Sequence, residues 1–336
     1  MISLLHSIYV QGTSVPRDED YYDRILPVLK ANMICPQVYC LMRERDLLPL
    51  APGKFQEALK QEFGKTVVIN LLLRQILEGV LKRLDSEGIP VIPLKGIRFN
   101  ERIFGHFAAR PNSDIDLLIR PEDLKRAIGM LNSLGFVMAK QVHNHVVMLK
   151  PTGEGREPLA VELHWSLEKP NWAELDHERF WSRSVPLAGF QHARELSTGH
   201  LFYYICLHGI RHRMDAFKYL LDIVHMIAQF PDELDYGALL EEASRDKTKR
   251  RIMAALSIVY GQFPFLHGIK PLPFEPLKTG WTYSAMRKKQ QGIRDREYYR
   301  YVSFFKFSIF DTWKQTVLSQ KQIYHFTGKY KADVLE

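Results

Sequence analysis

The feature that most constrains this fold is a short run of alternating residues, SDIDLLI, at positions 113–119. Because successive side chains of a β-strand point to opposite faces, Asp114 and Asp116 share one face, while Ile115 and Leu117 lie on the other. The two acidic residues have Cα atoms about 7 Å apart, a spacing from which both carboxylates can reach one divalent ion. Acids are depleted from strands, and two on one face repel each other without a cation. The pattern favours a Mg²⁺ platform; the alternative is a polar strand face with one acid capping a turn.

A second strand pattern, VELHW, occupies residues 161–165 and has the same kind of polar face. Glu162 and His164 share that face, and the apolar residues between them share the other. Glu162 could therefore complete the acidic cluster, either as a metal ligand or as the acceptor of a proton from an attacking hydroxyl. The alternative is an ordinary exposed strand residue.

Strand and helix signals alternate between residues 87 and 175. A short β-prone run ends at the tight turn Lys95-Gly96, and a helix begins at Pro121 and stops at Gly135. Further strand patterns follow at residues 136–139, 143–149 and 159–165. This order predicts an α+β fold, in which a small sheet of mixed strand directions forms the core.

Helical periodicity dominates both sides of this core. We expect an N-terminal helical region at residues 1–86, with helices at 21–47 and 55–84 separated by a turn at Pro52-Gly53. A C-terminal helical domain is expected at residues 176–270, with its strongest pattern at 201–227. A proline-rich stretch then leads into residues 271–336.

Hydropathy and cysteine content indicate the cellular compartment of the protein. No apolar run approaches the roughly 20 residues that a membrane-spanning helix needs. Residues 1–10 have neither the basic flank nor the cleavage site of a secretory signal. The three cysteines, Cys35, Cys40 and Cys206, are too sparse for a disulfide framework and lack zinc-site spacing. We therefore expect a cytoplasmic protein without a membrane span.

Positive charge is concentrated near the end of the chain. Residues 278–336 contain 12 Lys and Arg against 5 Asp and Glu, so they carry +7 of the net charge of +8. Aromatic residues are interleaved with these bases between Tyr298 and Phe307. Such a tail could attract nucleic acid, an acidic peptide or an anionic surface, and the predicted contact spans residues 278–331. The alternative is a helix with an aromatic core and a solvated charged face.

Several of these segments together resemble a bacterial nucleotidyltransferase family of the DNA polymerase β superfamily. The resemblance covers roughly residues 60 to 230. It is carried by Leu94-Lys95-Gly96, Arg110, residues 113–119, Gly135-Phe136 and residues 161–165, and by Leu207-His208, His212 and Leu221-Asp222-Ile223 in the helical region. It implies that Asp114, Asp116 and Glu162 are catalytic acids and ligands of Mg²⁺ or Mn²⁺.

The nucleotide side of the implied site departs from the superfamily pattern. The usual Gly-Ser turn, which holds the triphosphate, is replaced by Lys95-Gly96. Lys95 could bring positive charge to the phosphates, and Gly96 could allow close approach of the backbone; the alternative is a lysine at an ordinary turn. Arg110 could clamp phosphate oxygens. Ser113 and His164 complete the predicted nucleotide-binding set.

The resemblance implies an enzyme that moves a nucleoside monophosphate from an NTP onto an acceptor and releases pyrophosphate. The sequence leaves the acceptor open between a small molecule, a peptide or protein, and an RNA end. The rival hypothesis is a non-catalytic protein of the same fold that contacts nucleic acid or an acidic partner through its basic tail. The altered triphosphate turn favours this rival, and the three acids favour catalysis.

Overall fold

The structure is a computed structural model that describes residues 1–10, 12–16, 18–153 and 157–328, with side chains described up to residue 320. Helices make up most of these residues, and one five-stranded sheet lies among them. No helix in the described ranges combines the length and the hydropathy that a bilayer crossing requires.

The predicted small sheet of mixed strand directions is confirmed. The strands are β1 (Val91–Pro93), β2 (Asp114–Ile119), β3 (Val137–Gln141), β4 (His145–Lys150), β5 (Leu159–His164), β6 (Val185–Pro186) and β7 (Arg194–Glu195). The spatial order of the main sheet is β1-β2-β5-β4-β3, with β2 and β5 parallel and the other neighbours antiparallel. A separate two-stranded sheet joins β6 and β7.

Helices precede and follow the strands of the sheet along the chain, as the α+β prediction required. They are α1 (Ile2–Tyr9), α2 (Glu19–Ala31), α3 (Cys35–Glu44), α4 (Gly53–Ser86), α5 (Ile97–Phe104), α6 (Leu124–Ser133), α7 (His177–Ser182), α8 (Thr198–Arg211), α9 (Phe217–Gln229), α10 (Tyr236–Arg245), α11 (Lys249–Gln262), α12 (Leu266–Ile269), α13 (Tyr283–Gln290), α14 (Arg296–Ser303) and α15 (Trp313–Gly328).

The sheet lies between two hydrophobic clusters. Ile115 and Leu117 of β2 and Val161 of β5 are buried in one cluster with apolar residues of α4 and α6. Leu118, on the opposite face of β2, belongs to the larger cluster that includes Tyr204 of α8. The alternation in the sequence therefore directs the acidic face of β2 towards the C-terminal helices.

Two predicted helices are each split in the structure. The pattern at residues 21–47 forms α2 and α3, because Met33 takes a left-handed conformation (φ 57°) between them. The pattern at residues 201–227 forms α8 and α9, with Arg213 and Met214 left-handed at the turn (φ 59° and 49°). Periodicity alone did not show these turns, because apolar residues continue through both of them.

The basic C-terminal stretch packs onto the rest of the chain. Trp281, Tyr301, Phe304 and Phe305 are buried in the larger hydrophobic cluster. Lys288 contacts Asp295 and Glu297 at 2.6 Å each, so part of the positive charge is neutralised locally. The described part of this stretch is therefore integral to the helical region, and residues 329–336 lie outside the described ranges.

Candidate functional site

The three predicted acids lie together on one face of the sheet. β2 and β5 run parallel in a register that places Asp116 beside Glu162, and Asp114 lies two residues earlier on the same face. Ligand oxygens of the three carboxylates all lie within 4.8 Å of one another. Asp116 is only 3% exposed, whereas the side chains of Asp114 and Glu162 are 27% and 23% exposed. The cluster is therefore buried at Asp116 and partly open to solvent at Asp114 and Glu162.

Lys95 provides the first positive charge at this cluster. Its Nζ lies 3.1 Å from Asp114 Oδ1 and also contacts Asp116 Oδ2. The turn that carries it is fixed to β2, because the Leu94 amide donates to the Asp116 carbonyl at 3.0 Å. Burial would lower the pKa of Lys95, but Asp116 and Asp114 outweigh burial and raise it. An ammonium group therefore lies where two carboxylates converge.

His164 is the second basic residue at this cluster. Its Nε2 lies 3.0 Å from Asp116 Oδ1 and 3.3 Å from Glu162 Oε2. Burial opposes protonation, yet the two acids raise the pKa of His164. Next to it, His145 Nε2 lies 3.5 Å from Glu162 Oε2. Burial and the neighbouring His164 lower the pKa of His145 to about 4, so this second imidazole is neutral.

The acids have different protonation tendencies. Burial would raise the pKa of Asp116, but Lys95 and His164 hold it well below its usual value. Burial would also raise the pKa of Glu162, and the hydrogen bond from His164 outweighs it, so that this pKa is lowered. At Asp114 burial wins over Lys95, and the pKa is raised. The surroundings thus favour the ionised form at Asp116 and Glu162 and disfavour it at Asp114.

Gly96 forms the turn between Lys95 and α5. Its backbone has φ 83° and ψ −133°, a conformation that residues with a Cβ rarely adopt. The Gly96 carbonyl accepts a hydrogen bond from the backbone N–H of Asn100 at 2.9 Å. This bond starts α5 directly after the turn. The first amides of α5 therefore follow Lys95 closely, and a helix N-terminus favours anions.

Buried amides fix the loop that leads to the acidic strand. Asn70 of α4 and Asn100 of α5 each donate to the carbonyls of Phe107 and Arg110, at 2.7–2.9 Å. The backbone N–H of Asn112 donates to Asn70 Oδ1 at 3.3 Å. Sequence analysis missed this role. The available signal was an asparagine placed inside the apolar run of α4, since buried amides require partners.

Arg110 is buried in an ion pair. Its Nε is 3.0 Å from Asp222 Oδ2, and the two side chains are 6% and 1% exposed. Gln37 of α3 donates to the other oxygen of Asp222 at 3.2 Å. Arg110 therefore links the loop before β2 to α9. Ser113 is exposed and directly precedes Asp114.

Helices α8 and α9 add groups that sequence analysis did not assign to the site. Tyr204 and Arg211 of α8 lie within electrostatic range of Asp116. Arg211 is held in place, because its Nη2 donates to the Leu167 carbonyl at 3.1 Å. Lys218 of α9 lies within electrostatic range of Asp114 and Lys95, and burial lowers its pKa to about 8.

Lys218 differs from the other bases in its contacts. Its ammonium lies 5.1 Å from the centroid of the Tyr219 ring, and no carboxylate of the described residues lies within 4 Å of it. The His208 ring meets the ring of the same tyrosine edge-on, and the His212 ring stacks on it. A half-buried ammonium without an anionic contact is suited to receive an anion.

The donor set fits a hard divalent cation. Mg²⁺ and Mn²⁺ prefer carboxylate oxygens, and three of these converge here from two adjacent strands. The position of the Lys95 ammonium between Asp114 and Asp116 shows that this point of the cluster attracts a cation. His145, Glu162 and His164 form an overlapping group, in which His164 Nε2 already contacts Asp116 and Glu162.

Comparison with known proteins supports one family. A family model described as "Uncharacterised nucleotidyltransferase" matches residues 18–261, which is more than half of the chain. No curated protein matches significantly. Two solved structures are similar to the chain: JHP933 from Helicobacter pylori (11% identity, TM-score 0.32, 77% of this chain and 97% of that chain covered) and a proposed nucleotidyltransferase from H. pylori (12% identity, TM-score 0.33, 76% and 96% covered). Both TM-scores are below 0.5, so the family assignment rests on the family model alone.

Proposed function

Since the chain belongs to the uncharacterised nucleotidyltransferase family, we propose that it transfers a nucleoside monophosphate from an NTP to a hydroxyl or another nucleophile of an acceptor. Pyrophosphate is the leaving group. The observation that carries the proposal is the cluster of Asp114, Asp116 and Glu162, whose oxygens lie within 4.8 Å of one another. Three carboxylates on neighbouring strands repel each other unless positive charge lies among them; Lys95 neutralises part of their charge, and a divalent cation would neutralise the rest.

Asp114, Asp116 and Glu162 would hold Mg²⁺ or Mn²⁺. When bound, the ion would neutralise phosphate charge and stabilise the oxygens of an in-line displacement. The residues of the chain supply positioning and proton transfer around it. Of the three acids, Asp116 would keep its negative charge most reliably, because Lys95 and His164 lower its pKa.

Lys95 and Gly96 would form the triphosphate turn. The Lys95 ammonium lies between two carboxylates in the structure, and an incoming triphosphate offers it a second set of oxygens. Gly96 brings the backbone close, and the amides at the start of α5 face the same turn. Lys218 would bind the outer phosphates, because it is a base near the acids with no carboxylate in contact among the described residues.

Glu162 would act as the proton acceptor. Its carboxylate is ionised, because the hydrogen bond from His164 lowers its pKa against the effect of burial. The acceptor oxygen bonds to the α-phosphorus, the bond from that phosphorus to the bridging oxygen of the β-phosphate breaks, and pyrophosphate carries away the electron pair. The hydroxyl proton passes to Glu162. Arg110 would act as a positioning residue, since its buried pair with Asp222 fixes the loop before Asp114.

The experiment that tests this function uses α-labelled NTPs. The full chain is incubated with each labelled NTP, Mg²⁺ and a cell lysate, and the labelled product is isolated. We expect label on one class of acceptor with the wild type and none with Asp116→Asn. Asp232→Asn, which changes an exposed acid outside the site, is the matched control and should retain labelling. Equal labelling by wild type and Asp116→Asn would refute the assignment.

A second candidate function is contact with nucleic acid through the basic C-terminal stretch. Three aromatic side chains there are exposed, Tyr299 at 57%, Phe307 at 58% and Trp313 at 80%, and exposed aromatics among bases suit stacking of unpaired nucleotides. Trp281 and Tyr301 are buried, so truncation would damage the fold. The test is therefore salt-dependent retention of Phe307→Ala and Trp313→Ala on single-stranded RNA. Retention equal to that of the wild type would dismiss this contact.

A cytoplasmic location is also proposed. It is supported by the state of the cysteines, because Cys35, Cys40 and Cys206 are all free thiols and two of them are buried. Thiols of this kind are typical of proteins in a reducing compartment.

A further inference from the structure

The row of side chains that contains the acids continues across the sheet beyond Glu162. Asp116 pairs with Glu162, and Glu162 pairs with Val147 of β4. Val147 in turn pairs with Lys140 of β3. Paired residues share a face, and neighbouring strands are about 4.8 Å apart, so Lys140 lies on the acidic face with its Cα about 10 Å from that of Glu162. Lys95 lies on the other side of the acids, because it follows β1, the opposite neighbour of β2.

Two more bases lie on the Glu162 side of the acids. Arg211 of α8 is tied to the loop after β5, because its Nε lies 3.5 Å from Glu168 Oε1. Arg211 is within electrostatic range of Glu162 and of Lys169, which directly follows Glu168. Lys140 is within the same range of Lys169. Three bases therefore gather on the side of Glu162 that faces away from Lys95.

Lys169 is partly buried and lies against an aromatic ring. Its Nζ is 4.8 Å from the centroid of the Trp172 ring, and no carboxylate in the described part of the chain lies within 4 Å of it. Burial lowers the pKa of Lys169, and the charges of Arg211 and Lys140 add to this effect against Glu168. An ammonium group that is short of water and close to like charges is stabilised by an anion placed among them.

The loop that carries Lys169 is held in place by the C-terminal helices. The Trp172 carbonyl accepts Gln315 Nε2 at 2.9 Å and also contacts Arg251. Glu168 is 1% exposed, and its Oε2 lies 3.1 Å from Arg251 Nη1. The bases beside Glu162 are therefore positioned by the fold, which lowers the cost of ordering them around a ligand.

In-line transfer determines which substrate these bases can meet. The attacking and leaving oxygens lie on opposite sides of the α-phosphorus. Because Glu162 would receive the hydroxyl proton, the acceptor would enter beside Glu162. The triphosphate would lie towards Lys95 and Lys218, which interact with Asp114. The bases on the Glu162 side would then contact the acceptor.

On the basis of the proposed function, we propose that the acceptor carries a phosphate group, which Lys140, Lys169 and Arg211 bind while the acceptor hydroxyl lies at Glu162. Two ammonium groups and one guanidinium suit the several oxygens and the charge of a phosphate. A small sugar phosphate and the end of a nucleic acid strand both offer a hydroxyl near a phosphate. The chemistry that is recognised is the same in both.

The test is isothermal titration calorimetry of the full chain after saturation with Mg²⁺ and a non-hydrolysable NTP analogue. Ribose 5-phosphate, a short single-stranded RNA and ribose are titrated separately. Wild type is expected to bind at least one of the two phosphate-bearing probes, and to bind ribose at least about tenfold more weakly. Binding of ribose 5-phosphate identifies a small acceptor, and binding of the RNA alone identifies a strand end.

Variants separate the acceptor side from the triphosphate side. Lys169→Met is expected to weaken binding of the phosphate-bearing probe roughly tenfold and to leave the affinity for the NTP analogue unchanged. Lys169→Arg keeps the charge and should retain binding of the probe. Lys218→Met should weaken the NTP analogue instead. Lys125→Met is the matched control, because it changes an exposed base of α6, on the opposite face of the sheet, and it should match wild type for both ligands.

The outcomes distinguish this proposal from the proposed function. If the NTP analogue binds but neither phosphate-bearing probe does, or ribose binds as tightly as they do, the phosphate site is overturned and the proposed function stands. The same holds if Lys169→Met, with the melting temperature of wild type, binds the probe as wild type does. If the NTP analogue does not bind to wild type with Mg²⁺, the proposed function is overturned and the acceptor site with it.

Discussion

Replacing Lys95 with methionine tests whether one ammonium group serves two sets of anions in turn. The substitution keeps an unbranched side chain, one atom shorter, and removes its charge. In the structure Lys95 Nζ lies 3.1 Å from Asp114 Oδ1 and also contacts Asp116. A divalent ion that approaches these carboxylates must compete with the ammonium group. A triphosphate that approaches the turn gives the ammonium group an alternative partner.

The expected magnitude follows from the contacts that change. A hydrogen bond to a charged group contributes about 1.5–3 kcal/mol, and loss of one such bond by the displaced ammonium opposes metal binding by that amount. This corresponds to roughly 10- to 150-fold in affinity. Lys95→Met should therefore bind Mn²⁺ more tightly than wild type by roughly that factor when no nucleotide is present. It should bind an NTP analogue in the presence of Mn²⁺ more weakly by a similar factor.

Isothermal titration calorimetry measures both affinities on the full chain. Mn²⁺ is titrated alone, and a non-hydrolysable NTP analogue is titrated at saturating Mn²⁺. Lys65→Met, which removes a 69% exposed ammonium that contacts Glu62 of the same helix, is the control and should match wild type. Equal Mn²⁺ affinities for wild type and Lys95→Met would refute the competition. If neither bound Mn²⁺, the metal assignment of the three acids would itself be wrong.

Three further predictions follow from the same contacts. Asp222→Asn leaves the buried Arg110 guanidinium without its counter-charge, and we expect a loss of about 3–5 kcal/mol in the free energy of unfolding, measured in urea; a loss below 1 kcal/mol would contradict the ion pair. Because Lys218 has a pKa of about 8, it loses its charge as the pH rises from 7 to 9, so NTP affinity should fall over that range in wild type and stay flat in Lys218→Met, as measured by titration at each pH. Gly96→Ala forces a Cβ into a backbone conformation with φ 83°, which should lower stability by about 1–3 kcal/mol in thermal denaturation, and an unchanged melting temperature would show that the turn is not rigid.

The strands that carry the acids were predictable because their signal is local. A period of two residues at 113–119 and at 161–165 fixes which side chains share a face, whatever the rest of the chain does. The parallel pairing that brings Asp116 beside Glu162 joins residues 46 positions apart, and a single sequence does not state it. The polar faces of the two strands suggested that Glu162 could complete the cluster, and the resemblance to a family supported the same grouping. The sequence had assigned Lys95 to the triphosphate, and its contact with the acids is visible only in three dimensions.

Contributions from α8 and α9 were not predictable, because they depend on how the helical region packs on the sheet. Arg110 looked like a phosphate clamp in the sequence, since it lies four residues before Asp114. Its partner, Asp222, is more than a hundred residues away, and only the packed structure pairs them. Lys218 had no signal at all in the sequence. A lysine at the start of an amphipathic helix is ordinary until its surroundings are known.

Lys95, at the turn before α5, affects both the counter-charge of Asp116 and the entry of a metal ion. Asp116 is almost fully buried, and a buried carboxylate without a counter-charge would be severely destabilised. A neutral residue at position 95 would leave that counter-charge to His164 and to a bound ion, whereas lysine supplies it permanently. The cost is competition, because the same ammonium group opposes entry of a divalent ion. NTP brings both the anion that attracts Lys95 and the phosphates that accompany the ion, so the turn should favour entry of the metal together with the nucleotide over entry of the metal alone.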